Sequence, residues 1–281
     1  MLKALDPRFF LFLTKQKEMA CYALELVAEC DAPMLLNVEA AYVLSIHPTE
    51  RFERLHGVAR RTYVQRNRTF RVCDKGCVGA TNQDLTHAYV TLFGSIGVGG
   101  NVLVFEDDAI LASTARADFG SIDAFIGERA FSTYSLGSIG ITVPAGGGHR
   151  RYILFGALTH AVVYSASARA HIRGVDPCAV AHIDLSVIRS MPTNYTFHRA
   201  VAVQRLGETE NSKTWCVTCD GSRLDGLLRR AVRGVIRLVG LDVDPGAGFR
   251  ILYRFQRLEV LCLLVLLLLA AIVCIVRAAR M

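Results

Sequence analysis

The 281-residue chain is poor in charge and nearly devoid of lysine. Charged residues make up 20% of it, and Lys3, Lys15, Lys17, Lys75 and Lys213 are its only lysines. A disordered tail needs dense charge and little apolar content, so a chain that is 52% hydrophobic falls outside that class. Seven prolines and 23 scattered glycines exclude collagen-like and low-complexity segments. The N-terminal stretch MLKALDPRFFLFLTKQKE has an apolar patch, but Asp6 and Arg8 interrupt its approach. Without a small-residue cleavage site, it does not read as a signal peptide. No internal repeat is visible. The length suits one large domain or two small ones.

Mean hydropathy is +0.33, high for a soluble protein. Part of the excess lies in Val260–Val276, VLCLLVLLLLAAIVCIV, 17 residues without a charge. As a helix it is about 26 Å long, near the thin end of a bilayer core. A helix apolar on every face over that length is expected in a membrane. Only Arg277–Met281 follow, so the expectation is a single-pass tail anchor with the preceding domain on the cytosolic side. Arg250, Arg254 and Arg257 precede the segment and Arg277 and Arg280 follow it, so charge asymmetry does not settle orientation.

The formal charge of +7 is carried by arginine. A basic excess suits nucleic acid, anionic lipid or a sulfated polysaccharide, and a GC-rich genome also enriches arginine. Arg229, Arg230, Arg233 and Arg237 stand in RLDGLLRRAVRGVIRLVG, where Leu224, Leu227, Leu228, Ala231, Val235 and Leu238 recur at helical spacing. This is an amphipathic helix with a basic side, placed either on anionic headgroups or on the globular domain with its arginines in water. Of the nine cysteines, Cys73/Cys77 and Cys216/Cys219 form close pairs, and buried thiols are their default reading over zinc or a disulfide. The sequons at Asn67 and Asn194 would be silent on a cytosolic face.

Periodicity predicts helix within residues 1–38, with Ala20, Leu24, Val27 and Ala28 on one stripe, then a strand at 41–46 and a charged helix after Pro48. Strands are expected at 69–73, 101–105, 138–143 and 152–155, and helices at 82–96, 122–128 and 167–173. Alternating strands and helices predict an α/β layered domain with a largely parallel sheet. LDVDPGAGF (241–249) reads as a hinge before the membrane segment.

Glu106, Asp107 and Asp108 follow the apolar strand NVLVF directly. In open α/β sheets ligands bind at the carboxyl ends of strands. Three carboxylates there repel one another unless a cation shares them. A hard divalent ion bridging a diphosphate is a suitable partner, and a sugar-nucleotide's leaving group needs that neutralisation.

The stretch VFEDDAIL (104–111) resembles the signature of glycosyltransferase family 25. VLSIHPTERFERL (43–55), GCVGATNQDLTHAYVTLF (76–93), FGALTHAVVYSASARAHI (155–172) and HIDL (182–185) follow in that family's order, with Thr86-His87 standing for Ser-His and His182-Ile183 for Pro-Val. The resemblance covers about residues 40–205 and rests on order and spacing. It implies a glycosyltransferase-A-like, Rossmann-like mixed sheet flanked by helices, with a C-terminal transmembrane helix beyond it. It also implies a UDP-sugar donor with Mn²⁺ or Mg²⁺. Asp108 and Glu106 would be the metal ligands, Glu106, Asp107, Arg51 and Arg54 would face the cofactor, and Asp184 would be an acid or base on the acceptor side. His87 reads as structural.

The combination of such a domain with a C-terminal anchor also resembles the poxviral mature-virion envelope proteins that bind heparan sulfate. That likeness implies a virion-surface protein for attachment and assembly, with a sulfated glycosaminoglycan and the membrane as partners and no nucleic acid. Arg229, Arg230, Arg233 and Arg237 are its candidates for glycosaminoglycan or lipid headgroups. An active glycosyltransferase is the alternative. The expected organisation is a helical extension (1–39), the α/β domain (40–220), a basic helix and linker (221–257) and the anchor (258–281).

Overall fold

A computed structural model of the chain describes residues 22–29, 34–45, 64, 66–72, 81–97, 99–113, 115–180, 182–204, 206 and 223–278. The centre of the fold is built from β2 (Val38–Ser45) and β4 (Asn101–Glu106), which are parallel neighbours. Both are apolar runs buried along most of their length, as expected of strands covered on two faces. Alternate side chains serve two separate cores. Ala41, Val43, Leu103 and Phe105 face Phe119, Ile122 and Ile126 of α2 (Ala115–Glu128). Ala40, Tyr42, Leu44, Val102 and Val104 face the opposite layer. That layer holds Ala88, Tyr89, Leu92 and Phe93 of α1 (Thr81–Ser95) and Ala168 and Ile172 of α3 (Ala166–Arg173).

Further strands extend the sheet: β1 (Tyr22–Glu29), β3 (Arg66–Val72), β6 (Thr133–Ser135), the β7–β8 hairpin (Ile139–Gly146, His149–Ala157), β9 (Ala161–Tyr164) and β10 (Asn194–Phe197). The order of the nine strands is β1-β3-β2-β4-β9-β6-β10-β8-β7. A short pair, β5 (Ala109–Leu111) with β11 (Ala202–Gln204), stands apart from it.

Three expectations need correcting. The sheet is mixed rather than largely parallel: β2–β3, β2–β4 and β6–β10 are parallel, whereas β1–β3, β4–β9, β6–β9, β8–β10 and β7–β8 are antiparallel. Tyr22–Glu29, expected to be helical, is a strand paired with β3, so pairing to a sheet edge overrides its helical stripe. Val38 and Glu39 likewise belong to β2 and not to an extension. The charged helix after Pro48 lies outside the described residues.

The third correction concerns 241–249, which is no hinge. The basic helix α4 (Arg223–Leu238) ends in a Schellman cap. Gly240 takes φ +74, its N–H donates to the Arg237 carbonyl, and Leu241 N–H donates to that of Ile236. Leu241 is buried, and α5 (Pro245–Phe255) starts under an Asp244 cap with proline in its first turn. Phe249 and Tyr253 of α5 are buried with Leu241 and Val203. The Tyr253 hydroxyl accepts from Ser138 N at 3.0 Å and lies 3.1 Å from Thr196 Oγ1.

The polypeptide then joins the sheet edge. Thr142 N donates to the Gln256 carbonyl at 2.9 Å. Buried Arg150 donates through Nε to Thr142 Oγ1 and through Nη2 to Glu259 Oε2, both at 2.8 Å. Glu259 opens α6 (Leu258–Ala278), a helix of 21 residues whose start is therefore fixed to the body. Among the described residues no helix is long and apolar enough to cross a membrane. Side chains of α6 are described to Leu269 and at Ile272, whereas its backbone helix continues to Ala278. Phe249→Ala is expected to cost about 3–5 kcal/mol, as for other fully buried phenylalanines, seen as a lower urea midpoint of the detergent-solubilised chain.

Candidate functional site

From β2 the chain passes to β3 on one side; from β3 it crosses through α1 to β4 on the other side of β2. The strand order thus reverses between β2 and β4. The crevice outside the carboxyl ends of such a pair is where open α/β sheets place ligands. Leu44 of β2 lies opposite Glu106 of β4, so the acidic triplet stands at this point.

β9 enters from the same end. Glu106 N donates to the His160 carbonyl at 2.9 Å, which places Leu158, Thr159 and His160 beside the triplet. Thr159 donates its hydroxyl to Glu106 Oε1 through a short contact, and Tyr89 of α1 donates to the same oxygen at 3.3 Å. Asp184 joins from a π-helical turn, Ile183–Val187, where its Oδ2 accepts from Leu158 N at 3.2 Å. Leu158 takes φ +82, a left-handed conformation that side chains rarely adopt. Such strain is tolerated where surrounding contacts hold it; here the Asp184 carboxylate binds the strained residue's own N–H. Asp107 turns toward β2, its Oδ2 lying 3.5 Å from Ser45 Oγ as acceptor. Asp108 Oδ2 accepts from Gln204 Nε2 of β11.

Electrostatics follow from this crowding. Burial pushes the Glu106 carboxyl up to about 8, the negative charges of Asp108 and Asp184 push the same way, and the Thr159 and Tyr89 hydroxyls partly offset them. Burial likewise raises the Tyr89 phenol well above its ordinary value. His160 is fully buried and held down at about 4 by desolvation, partly countered by the Ala202 carbonyl, so it is neutral near pH 7. Next to Leu158 and Thr159 lies a small cavity of about 10 Å³. Hydroxyls of Thr133, Ser135, Ser138 and Tyr152 and the amide of Asn194 line it.

The structure therefore brings Glu106, Asp108 and Asp184 together and directs Asp107 to Ser45. Carboxylate oxygens are the right chemistry for a hard cation. In this arrangement, however, they accept from neutral donors, and among the described residues no group of three or more acidic, His or Cys side chains is placed to hold a metal. Arg51, Arg54 and the paired cysteines lie outside the described residues. Arg229, Arg230, Arg233 and Arg237 belong to α4, whose end packs through Ile236 and Val239 on the cluster of Val203 and Phe249. His87 sits on α1, two residues before Tyr89. Tyr89, Leu158, Thr159 and Gln204 are the site residues that sequence reading missed. A hydroxyl ahead of the buried run AVVY was the one available signal, for Thr159. Compared with known proteins, the chain matches no family model and no curated protein.

The proton on Glu106 makes stability depend on pH. Folded, the group keeps its proton to about pH 8; unfolded, it releases it near pH 4.3. Its contribution is complete below the lower value and is lost as pH rises to the upper one, at a limit of about 1.4 kcal/mol per pH unit. Glu106→Gln abolishes the titration. Measured by urea unfolding, the variant is expected to gain on the unaltered chain between pH 5 and pH 8.

Proposed function

We propose that the protein is a tail-anchored surface protein of the poxviral mature-virion envelope type, and that it attaches to cells by binding heparan sulfate. Its body, on this reading, is a glycosyltransferase-A-like domain, and α6 is a single-pass membrane anchor. One observation carries the membrane half. Leu263–Leu269 are all 43–64% exposed, so seven consecutive apolar side chains cover every face of the helix without a protein partner over that stretch. Such a surface is stable in lipid and costly in water. On this reading the body would lie on the cytosolic face of the membrane and on the outer surface of the particle.

The acidic end of β4 supports binding over turnover as the body's work. Its carboxylates accept from the neutral groups of Thr159, Tyr89, Gln204 and Ser45, and one of them retains its proton at neutral pH. Sulfated chains would be held by arginine charge, with a strong dependence on salt. The detergent-solubilised chain is expected to elute from immobilised heparin at higher salt than a neutral membrane protein. Elution together with that control would remove the attachment reading.

A second reading, a metal-dependent glycosyltransferase using a UDP-sugar, is favoured by the position of the triplet at the reversal of strand order and by the approach of Asp184. UDP-sugar hydrolysis with Mn²⁺ or Mg²⁺, abolished by Asp108→Ala, is its expected signature. No turnover with any common donor rejects it.

A further inference from the structure

We propose that α4 lies along the surface of the same membrane that holds α6, its apolar side in the interface and its arginines on anionic headgroups. This rests on the reading of α6 as an anchor. Along α4 the apolar positions Leu227, Ala231, Val235 and Leu238 fall on one arc, and Arg229, Arg230, Arg233 and Arg237 fall on the opposite one. A helix that packed its apolar arc on the body would bury it. Here Leu227 is 58%, Val235 49% and Leu238 85% exposed, and among the described side chains of this segment only Ile236 and Val239, near the cap, reach the cluster around Phe249.

The exposed apolar surface is also concentrated. Among the described residues every exposed large apolar side chain except Leu36, Ile110 and Ile153 lies between 227 and 272, in α4, the following turn, α5 and α6. Ile251 and Phe255 of α5, between α4 and α6 in the chain, are exposed as well. Charge follows the same boundary. Residues 223–281 carry ten arginines against four aspartates and glutamates, a net +6, whereas residues 1–222 carry 22 basic and 21 acidic side chains. The basic character of the protein is thus a property of its membrane-proximal end.

A soluble polyanion would neutralise the arginines and leave Leu227, Val235 and Leu238 in water. An anionic lipid interface takes both arcs of the helix at once. The occupant is therefore the bilayer, and a sulfated chain would be left to the arginines of the body, such as exposed Arg116, Arg129, Arg151, Arg173 and Arg189.

The test is amide hydrogen exchange of the full chain in nanodiscs of phosphatidylcholine alone and with about 20% phosphatidylserine. Exchange over 223–238 is expected to slow about fivefold or more in the anionic discs. The triple variant Arg229→Gln, Arg230→Gln, Arg233→Gln should lose that slowing while β9 exchanges as before. Equal exchange in both discs overturns the inference and leaves the anchor standing. So does an equal slowing when heparin is added to the neutral discs, because it would identify a soluble polyanion as sufficient. Failure of the chain to enter either disc overturns the anchor and this inference together.

Discussion

Crowding of like charge at the end of a buried strand is the constraint on which the domain's polar end is organised. β4 is covered by helices on both faces along its length, so it delivers Glu106 to a half-buried place crowded with other carboxylates. Asp108 follows two residues later, and Asp184 is brought in by a turn more than seventy residues further along the chain. Three ionised carboxylates there would repel one another at low dielectric. The fold answers with a retained proton on Glu106 and with neutral donors from α1, β2, β11 and the turn before β9. Leu158 accepts an unfavourable backbone conformation at this point, and its N–H meets Asp184.

A different set of contacts holds the approach to α6. A loose linker would leave α6 free of the body. Instead the last strand of the sheet accepts the chain just before α6 as an extra edge partner, and Arg150 binds Glu259 at its first turn. Phe249 and Tyr253 seal α5 beneath it. The start of α6 is therefore tied to the body. Were α4 and α6 both to meet lipid, as proposed, the cap at Gly240 and α5 would join them.

Much of the central sheet was legible in the sequence because its strands are short, continuous apolar runs. AYVLSI and NVLVF read as buried strands, and the helical period over 82–96 marked α1. The acidic triplet stood out for the same reason: three carboxylates directly after such a run. Less legible were β6, β10 and β11, which are three or four residues long and carry Thr, Ser, Asn and Gln. Their pairing depends on neighbours distant in the chain, so no local period announces them. Tyr22–Glu29 shows the opposite failure, a convincing local helical stripe overridden by an edge pairing. The supposed hinge at 241–249 misled because glycine and proline mark helix caps as well as linkers. Of the site, the acids were visible and their donors were not, since a threonine, a tyrosine and a glutamine become site residues only through the turns that aim them.

The account depends most on the state of one carboxyl group. Infrared difference spectra of the unaltered chain against Glu106→Gln, recorded across the pH range, report the protonated C=O stretch of Glu106 directly. A band that persists through pH 7 and fades near pH 8 is the predicted result. A carboxylate already ionised at pH 5 would contradict it, and would mean that the end of β4 is wetter or more cationic than a crowded acidic pocket allows.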